Sequence, residues 1–256
     1  ESGVQSGDII IAVDGKPVQS MTEEETSGLI RGPEGTTVTL KVLRGAAELE
    51  FIMTRRAIEL PIVTEKMIDA GSRKIGYVRL DQFSLDSGVK LRGAIDKLVG
   101  EGAEGIILDL RNNGGGLLDE SINVASTFIQ DGPIVSVVGR DGESQVYSAR
   151  GDANETIPLA LLVNGYSASA SEIVAGAIKD DARGRLIGEK TFGKGVVQSI
   201  VPLSNGGGLK YTAGSYYTPK GIDINKIGIE PDIPVVDDPA TPADEVLDRA
   251  VAELAR

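Results

Sequence analysis

Three segments of this 256-residue chain carry residue types that could do chemistry, and the first of them is rich in glycine. Residues 111–116 (RNNGGG) follow an apolar run at 105–110 (GIILDL) and precede a predicted helix over 117–129. Successive glycines before a helix let the backbone approach a ligand closely, and the N–H groups of the first helical turn favour negative charge. The pattern therefore predicts a seat for an anion or an oxyanion, although the same turn is also common as structure alone.

The second segment, residues 163–173 (VNGYSASASEI), places three serines where an apolar strand leads into a predicted helix. A serine at a helix N-terminus lies beside free backbone donors, so Ser169 could act as a nucleophile with an N–H group next to it. The alternative is structural, because serine is a favourable N-cap residue. Ser167 and Ser171 remain rival nucleophiles. Glu172 could perturb Lys194 or cap the helix, and of these two roles we expect the cap.

The third segment, residues 188–194 (GEKTFGK), meets the first part of the phosphate-binding pattern GxxxxGK followed by Ser or Thr. Gly195 breaks that pattern because it has no hydroxyl for Mg²⁺, and residues 196–201 read as a strand where the pattern requires a helix. A dinucleotide fingerprint also fails, since Asp119 stands where GxGxxG requires its last glycine. No nucleotide site is predicted, so Lys194 is either a solvated surface residue or a lysine brought close to another group.

The composition narrows the chemistry further, because the chain contains neither histidine nor cysteine. Ser-His-Asp triads, cysteine nucleophiles, histidine-ligated zinc and disulfides are therefore excluded. The general bases that remain are a carboxylate, or a lysine whose amine is kept uncharged by burial. In that case Lys194 could take the proton of Ser169. The oxyanion would be received by the N–H of Ala170 and by one N–H from residues 114–116.

The charge balance argues against polyanionic partners. The chain has 26 basic and 38 acidic side chains, a formal net charge of −12 and a sequence pI near 4.6. Nucleic acid is therefore not expected as a partner, since the protein offers phosphates no positive field. The longest apolar stretch, residues 157–163, is far shorter than the ~20 residues that span a bilayer.

The elements that must position these groups form two regions of different pattern, which predict domains over residues 1–56 and 57–256. The first region contains a strand at 8–18, a helix that starts with a Thr22/Glu25 capping box, and a hairpin. With its opening GVQSGDIIIAVDG, this order resembles the second half of a PDZ domain. The resemblance implies that the carboxylate-binding loop and the strand that receives a peptide lie upstream, so we expect weak binding of peptide tails.

The second region starts with a predicted linker over 57–71 and then alternates strands with helices, which is typical of an α/β core. The predicted strands lie at 74–83, 105–110, 133–138, 157–163, 185–188 and 196–203. The predicted helices lie at 89–99, 117–129 and 169–179, and a last helix is capped by Thr241 with Asp244 at its third position.

Five sequence blocks together resemble the carboxyl-terminal processing, or tail-specific, proteases. In chain order they are GIILDLRNNGGGLL, NGYSASASEI, GEKTFGKGVVQ, YYTPKG and GIEPDI. The resemblance implies that Ser169 is the nucleophile and that Lys194 is the general base. It further implies that Gln198 orients the lysine, and that the N–H groups of Gly115 and Ala170 form the oxyanion hole.

The same resemblance implies a crotonase/ClpP-like α/β core that follows a partial PDZ domain of α+β type. It implies a serine endopeptidase without metal or cofactor, which selects protein substrates by their apolar C-terminal tails. An extracytoplasmic location is expected, such as a bacterial periplasm, the cell envelope or a thylakoid lumen, and a homo-oligomer is one open alternative. Gly114 departs from the family, which usually has proline there, and we expect this glycine to loosen the oxyanion loop.

Two other classes of function remain open. A related core without catalysis would make the chain a binding module or an adaptor, and the presence of both Ser169 and Lys194 argues against this alternative. An acyl-CoA enzyme with a similar strand and helix core would need a nucleotide pocket. That alternative would leave the same serine and lysine without a role.

Overall fold

The computed structural model describes residues 3–5, 7–56, 61–204, 207–238 and 240–256. The chain divides into two compact units, Glu1–Leu60 and Pro61–Arg256. Within the described residues, no helix combines the length and the apolar character that are needed to cross a bilayer.

The first unit is a four-stranded antiparallel sheet with one helix. Its elements are β1 (Ile9–Val13), β2 (Lys16–Pro17), α1 (Glu23–Ile30), β3 (Thr37–Arg44) and β4 (Ala47–Thr54), with strand order β2-β1-β3-β4. Alternate residues of β3, Val38, Leu40 and Val42, are buried, as expected of a strand with one face on a core. The predicted capping box is confirmed, since the Thr22 N–H donates to the Glu25 carboxylate at 2.8 Å and the Glu25 N–H donates to Thr22 Oγ1 at 3.2 Å.

The second unit alternates strands with helices, as the sequence predicts. In chain order its elements are β5 (Val63–Ala70), β6 (Arg73–Leu80), α2 (Ser87–Gly100), β7 (Gly105–Asp109), α3 (Leu118–Ala125), β8 (Pro133–Gly139), β9 (Ser144–Ser148), β10 (Leu159–Val163), α4 (Ala170–Asp180), β11 (Arg185–Gly188), β12 (Val196–Pro202), β13 (Gly208–Tyr217), β14 (Ile233–Pro234) and α5 (Glu245–Leu254). These strands form two sheets.

The larger sheet has six strands in the order β14-β11-β10-β7-β6-β5. All neighbours are parallel except β5 and β6, which form an antiparallel pair at one edge. Every residue of β7 and β10 is buried, which is why both read as continuous apolar runs in the sequence. The smaller sheet is antiparallel, with the order β12-β13-β8-β9 and a register shift between Val197 and Gln198.

Helices cover both faces of the larger sheet. Ile106 and Leu108 of β7 point into the core cluster that contains the apolar side chains of α2, α3 and α4. Ile107, between them, belongs to the opposite cluster with Val246 and Ala250 of α5. This alternation follows from the two-residue repeat of a strand, and it buries the centre of the sheet on both sides.

Three predictions in this unit are wrong. The strand predicted over 74–83 ends at Leu80. The predicted linker over 57–71 contains β5, whose partly buried positions include Glu65, so the strand lacks a clear apolar alternation. Helix α3 ends at Ala125 instead of residue 129. The reason is a change to the three-residue hydrogen-bond spacing of a tighter turn, since the Thr127 N–H donates to the carbonyl of Val124 at 3.1 Å.

The predicted cap of the last helix is also wrong. Helix α5 begins at Glu245, and Asp244 is its N-cap because its carboxylate accepts the Leu247 N–H at 2.8 Å. The hydroxyl of Thr241, the predicted cap, donates to the Glu245 carboxylate at 2.7 Å instead. Thr241 and Asp244 are both of residue types that commonly cap helices, and they lie three positions apart. Asp244 also accepts a hydrogen bond from Arg111 at 2.7 Å, which fixes its side chain.

Candidate active site

The three segments singled out in the sequence leave three neighbouring strands at the same edge of the larger sheet. Residues 110–117 follow β7, residues 164–169 follow β10, and residues 189–195 follow β11. The register pairs β7 with β10 and β10 with β11, all parallel. The carboxyl ends of parallel strands lie at one edge, where α/β proteins usually place their ligand sites.

A cavity of about 510 Å³ opens at this edge. Its wall contains four of the five predicted site residues, and Ala170, the fifth, directly follows one of them. The complete wall consists of Asp81, Gln82, Gly114, Gly115, Gly116, Ser169, Lys194, Val196, Gln198 and Tyr216. Within the described part of the chain, no group of three or more acidic side chains could hold a metal ion.

Some wall residues were not anticipated from the sequence. Asp81 and Gln82 directly follow β6, which lies beside β7 in the sheet, whereas Tyr216 belongs to β13. No motif marks Asp81 or Gln82, whereas Tyr216 begins the block YYTPKG, for which the sequence suggested no role. The available signal for the first two was their place at the end of a strand parallel to β7.

Ser169 lies at the N-cap of α4 in an unusual backbone conformation. Its φ of +56° and ψ of −113° fall outside the regions that residues other than glycine favour. The conformation is held by two short bonds, from the Ser169 N–H to the Glu172 carboxylate at 2.9 Å and from the Glu172 N–H to the Ser169 carbonyl at 2.8 Å. The surrounding structure thus fixes a strained nucleophile candidate in the cavity wall.

The two rival serines hold the loops together instead. Ser167 and Ser171 are fully buried. The hydroxyl of Ser167 donates to the Leu110 carbonyl at 2.8 Å, and that of Ser171 donates to the Asn113 carbonyl at 2.8 Å. Neither belongs to the cavity wall, so of the three serines Ser169 alone borders the cavity.

Gly115 lies directly against the nucleophile loop, residues 164–169. Its φ is +97°, and a Cβ built on it would come within 2.6 Å of the Ala168 carbonyl oxygen and 2.8 Å of Ser169 Cβ. Only glycine allows this approach. The Gly115 N–H, a predicted oxyanion donor, donates to Asn113 Oδ1 at 2.9 Å, whereas the Ala170 N–H has no acceptor among the described residues.

Glu172 links the nucleophile loop to the lysine loop, residues 189–195, through its buried carboxylate. The expected cap is confirmed, since its carboxylate accepts the Ser169 N–H. The same fully buried carboxylate accepts the N–H groups of Gly193 at 2.6 Å and Lys194 at 2.8 Å, and the Thr191 hydroxyl at 2.7 Å. These four donors compensate the burial of the carboxylate and fix the two loops relative to each other.

Lys194 is exposed, so the burial that we expected for it is not observed in this structure. The physical reason is its position in the wall of the cavity, where neighbouring elements leave the side chain accessible to water. Gly195 packs so closely that an added Cβ would lie 2.2 Å from the Asn225 nitrogen. The backbone of Lys194 is thus fixed while its side chain remains accessible at the cavity. Gln198 is exposed on the same wall, and its contact with the lysine stays a prediction.

A buried ion network lies just before the glycine-rich loop. Arg111 donates to the fully buried carboxylate of Asp109 at 2.7 Å and to both oxygens of Asp244, at 2.7 and 2.9 Å. Asp237 accepts a further bond at 3.3 Å, and the Tyr77 hydroxyl donates to Asp109 at 2.8 Å. The network connects the end of β7 to the start of α5.

The pKa values in this region follow from burial and from these bonds. Burial, together with the charge of Asp109, raises the pKa of Tyr77 to about 12. Burial opposes the charge of Arg111, but its bonds to Asp244 and Asp109 outweigh this and raise the pKa of the guanidinium. Burial likewise acts to raise the pKa of Asp244, but the bond from Arg111 outweighs it and lowers that pKa. Arg111 and Asp244 are therefore both charged at neutral pH, whereas the Tyr77 hydroxyl keeps its proton.

Comparisons with known proteins place these features in a family context. The family model described as Peptidase family S41 matches residues 74–235, and a PDZ domain model matches residues 1–44. These matches confirm the predicted fold class, an α/β peptidase core with a PDZ domain before it.

The most similar relatives include two curated proteases and one solved structure. The chain is 43% identical over 235 residues to a carboxyl-terminal-processing protease of Synechocystis sp., covering 91% of this chain and 55% of the relative. It is 41% identical over 247 residues to a carboxy-terminal-processing protease of Bartonella bacilliformis, covering 93% of this chain and 56% of the relative. The structure of a photosystem II D1 C-terminal processing protease aligns with a TM-score of 0.69 at 36% identity, over 99% of this chain and 69% of that chain. The chain thus spans little more than half the length of these curated relatives.

Proposed function

The chain belongs to peptidase family S41, and from this premise we propose that it is a serine endopeptidase in which Ser169 attacks the peptide bond and Lys194 transfers the proton. One observation carries the proposal: a single cavity has Ser169, Lys194 and the glycines 114–116 in its wall. This is the combination of nucleophile, base and backbone donors that acyl transfer needs.

The first half of the proposed reaction forms an acyl-enzyme. Ser169 Oγ attacks the carbonyl carbon while its proton passes to Lys194 Nζ, and negative charge develops on the carbonyl oxygen. The N–H groups of Ala170 and Gly115 stabilise that oxyanion. The C–N bond then breaks, Lys194 returns its proton to the leaving nitrogen, and an ester remains on Ser169.

The second half releases the acyl group. A water molecule gives a proton to Lys194 and attacks the ester carbonyl, and the same N–H groups receive the oxyanion. The ester bond breaks, and the serine oxygen regains its proton from the lysine. No metal ion or cofactor enters either half.

Lys194 must be uncharged to accept a proton, although its side chain is exposed in this structure. We infer that the bound substrate chain covers the amine and excludes water from it, which disfavours the charged form. Gln198, on the same wall, is proposed to orient the amine by accepting a hydrogen bond from it.

The substrates are proposed to be proteins that are selected by apolar C-terminal tails. The names of the curated relatives, carboxyl-terminal-processing proteases, and the match of a PDZ model to residues 1–44 support this class. PDZ domains bind C-terminal segments as an added strand. We propose an extracytoplasmic location because the chain is similar to these relatives. The oligomeric state stays open.

The test is cleavage of an unstructured protein with an apolar C-terminal tail, followed by mass spectrometry of the products. Ser169→Ala and Lys194→Ala should each lower the rate by at least about a thousandfold with an unchanged circular dichroism spectrum. The matched control is Lys190→Ala, an exposed lysine of the same loop that pairs with Glu230 on the surface at 2.8 Å. Retained cleavage in either dyad variant, or none by the unmodified chain, would contradict the proposal. The second result would favour a binding module or an acyl-CoA enzyme.

A further inference from the structure

The side chain of Asn113 occupies a backbone donor that the proposed reaction requires. Asn113 is fully buried, and its Oδ1 accepts the Gly115 N–H at 2.9 Å. Its Nδ2 donates to the Leu80 carbonyl at 2.7 Å, so both ends of the amide are fixed. An N–H that already has an internal acceptor is not free to stabilise an oxyanion.

The other proposed donor is in a different state. The Ala170 N–H is buried at the start of α4 and has no acceptor among the residues that the structure describes. In this structure, therefore, the Ala170 N–H is available to an oxyanion, whereas the Gly115 N–H is already bonded to Asn113.

The peptide groups on either side of the Gly114–Gly115 peptide are anchored. The Asn113 carbonyl before it accepts the Ala168 N–H at 3.0 Å and the Ser171 hydroxyl at 2.8 Å. The Gly115 carbonyl after it accepts the Phe83 N–H at 3.1 Å. Rigid-body movement of the loop would break these bonds.

The Gly114–Gly115 peptide itself is held by a single hydrogen bond. Its carbonyl, from Gly114, has no donor within the described part of the chain, and its N–H is held by Asn113 Oδ1 alone. The rotation changes ψ of residue 114 and φ of residue 115, and both residues are glycines, which accept either sign of φ. A Cβ placed on Gly114 would meet nothing within 4 Å, so no neighbouring residue packs against the Cα of this glycine.

We propose that Asn113 is a positioning residue that holds the Gly114–Gly115 peptide in an inactive orientation, and that a flip of this peptide completes the oxyanion hole during attack. The inference rests on the proposed function and adds a control step to the same site. Asn113 touches no reacting atom; it acts through the Gly115 N–H. Because this N–H is used in the transition state and not in substrate binding, the flip affects kcat more than KM.

The kinetic test uses Asn113→Leu, which keeps the branching of the side chain at Cγ and removes the acceptor. We expect kcat to rise severalfold at a KM within twofold of the original, although Tm falls because the Leu80 carbonyl loses its donor. The matched control is Ser171→Ala, which removes a neighbouring buried bond to the Asn113 carbonyl and leaves Oδ1 in place. This variant should lower Tm without raising kcat. A kcat that falls in parallel with Tm in Asn113→Leu would overturn the proposal.

A second measurement does not depend on cleavage. Amide exchange of ¹⁵N-labelled chain should be at least tenfold faster for Gly115 in Asn113→Leu than in the unmodified protein. A peptide boronate that bonds to Ser169 should then shift the Gly115 and Ala170 amide protons downfield together. An adduct that shifts the Ala170 resonance alone refutes the flip. If neither an adduct nor cleavage is seen, the proposed function is refuted. In that case the amide exchange of Gly115 still tests whether Asn113 holds this N–H.

Discussion

The carboxylate of Glu172 holds the backbone of Lys194: its Oε2 accepts the Lys194 N–H at 2.8 Å, and the same oxygen accepts the Ser169 N–H at 2.9 Å. One buried oxygen thus connects the segment that carries the proposed nucleophile with the segment that carries the proposed base. The distance between the two backbones is set by this contact, while the lysine side chain stays free to move.

Replacement of Glu172 should therefore damage stability and activity together. Glu172→Ala leaves four donors without their acceptor, and we expect a loss of about 3 to 5 kcal/mol in the free energy of unfolding. Glu172→Gln keeps the shape and should lose about 1 to 3 kcal/mol, with a lower kcat. Urea denaturation and cleavage assays measure both. The control is Glu189→Gln, at the exposed first residue of the lysine loop, which should change the free energy of unfolding by less than about 0.5 kcal/mol.

The backbone strain at Ser169 predicts an unusual order of stability. Its φ of +56° with ψ of −113° suits glycine and disfavours any residue with a Cβ. Ser169→Gly should therefore be more stable than Ser169→Ala by about 1 to 2 kcal/mol, although both lack the hydroxyl. Thermal unfolding of the two variants measures the difference. Equal stability would mean that the strain costs the native state nothing.

Neighbouring glycines in the oxyanion loop should respond very differently to alanine. Gly115→Ala places a Cβ within 2.6 Å of the Ala168 carbonyl oxygen and requires a φ of +97°, so we expect at least about 2 kcal/mol of destabilisation and loss of cleavage. Gly114→Ala meets nothing within 4 Å and should change the free energy of unfolding by less than about 1 kcal/mol. Similar Tm values for the two variants would show that the loop relaxes away from Ser169.

Acid should weaken the contact between the ion network and α5. The pKa of Asp244 is lowered in the folded chain, so its contribution to stability is present above its ordinary pKa of about 4 and is lost as the pH falls through the lower folded value. Asp244→Asn should cost about 1 kcal/mol at pH 7, and this cost should shrink as the pH falls below about 4. Urea denaturation at several pH values tests this, with Asp248→Asn, exposed on the same helix, as the control. A difference that does not change with pH would contradict the assignment.

Local patterns made much of the fold predictable. The run 105–110 is apolar because β7 is buried on both faces, and the Thr22/Glu25 box depends on residues three positions apart. Strand β5 was missed because Glu65 interrupts its alternation, and β13 was missed because its sequence, GLKYTAGSYY, has no consistent apolar repeat. These strands exist because neighbouring strands pair with them.

The candidate site likewise contains features that the sequence made predictable and features that it did not. Ser169, Lys194 and Gly115 stand in compact motifs, so their types and spacing marked them. The bond between Asn113 Oδ1 and Gly115 depends on a side-chain rotamer, and Arg111 meets Asp244 across 133 positions of sequence. Neither contact leaves a periodic signal. The exposure of Lys194 likewise depends on how far neighbouring elements extend over it, which sequence spacing does not encode.

The order of β7, β10 and β11 in the sheet has an evolutionary consequence. Each strand delivers one chemical component from its own carboxyl end, and the strands themselves lie side by side. Substitutions that bend or twist the sheet displace all three components as a unit and preserve their spacing. Substitutions that change turnover or selectivity among homologous chains should therefore occur mainly in the connecting segments. Substitutions in the strands should be limited to side chains of a volume that the packing accepts.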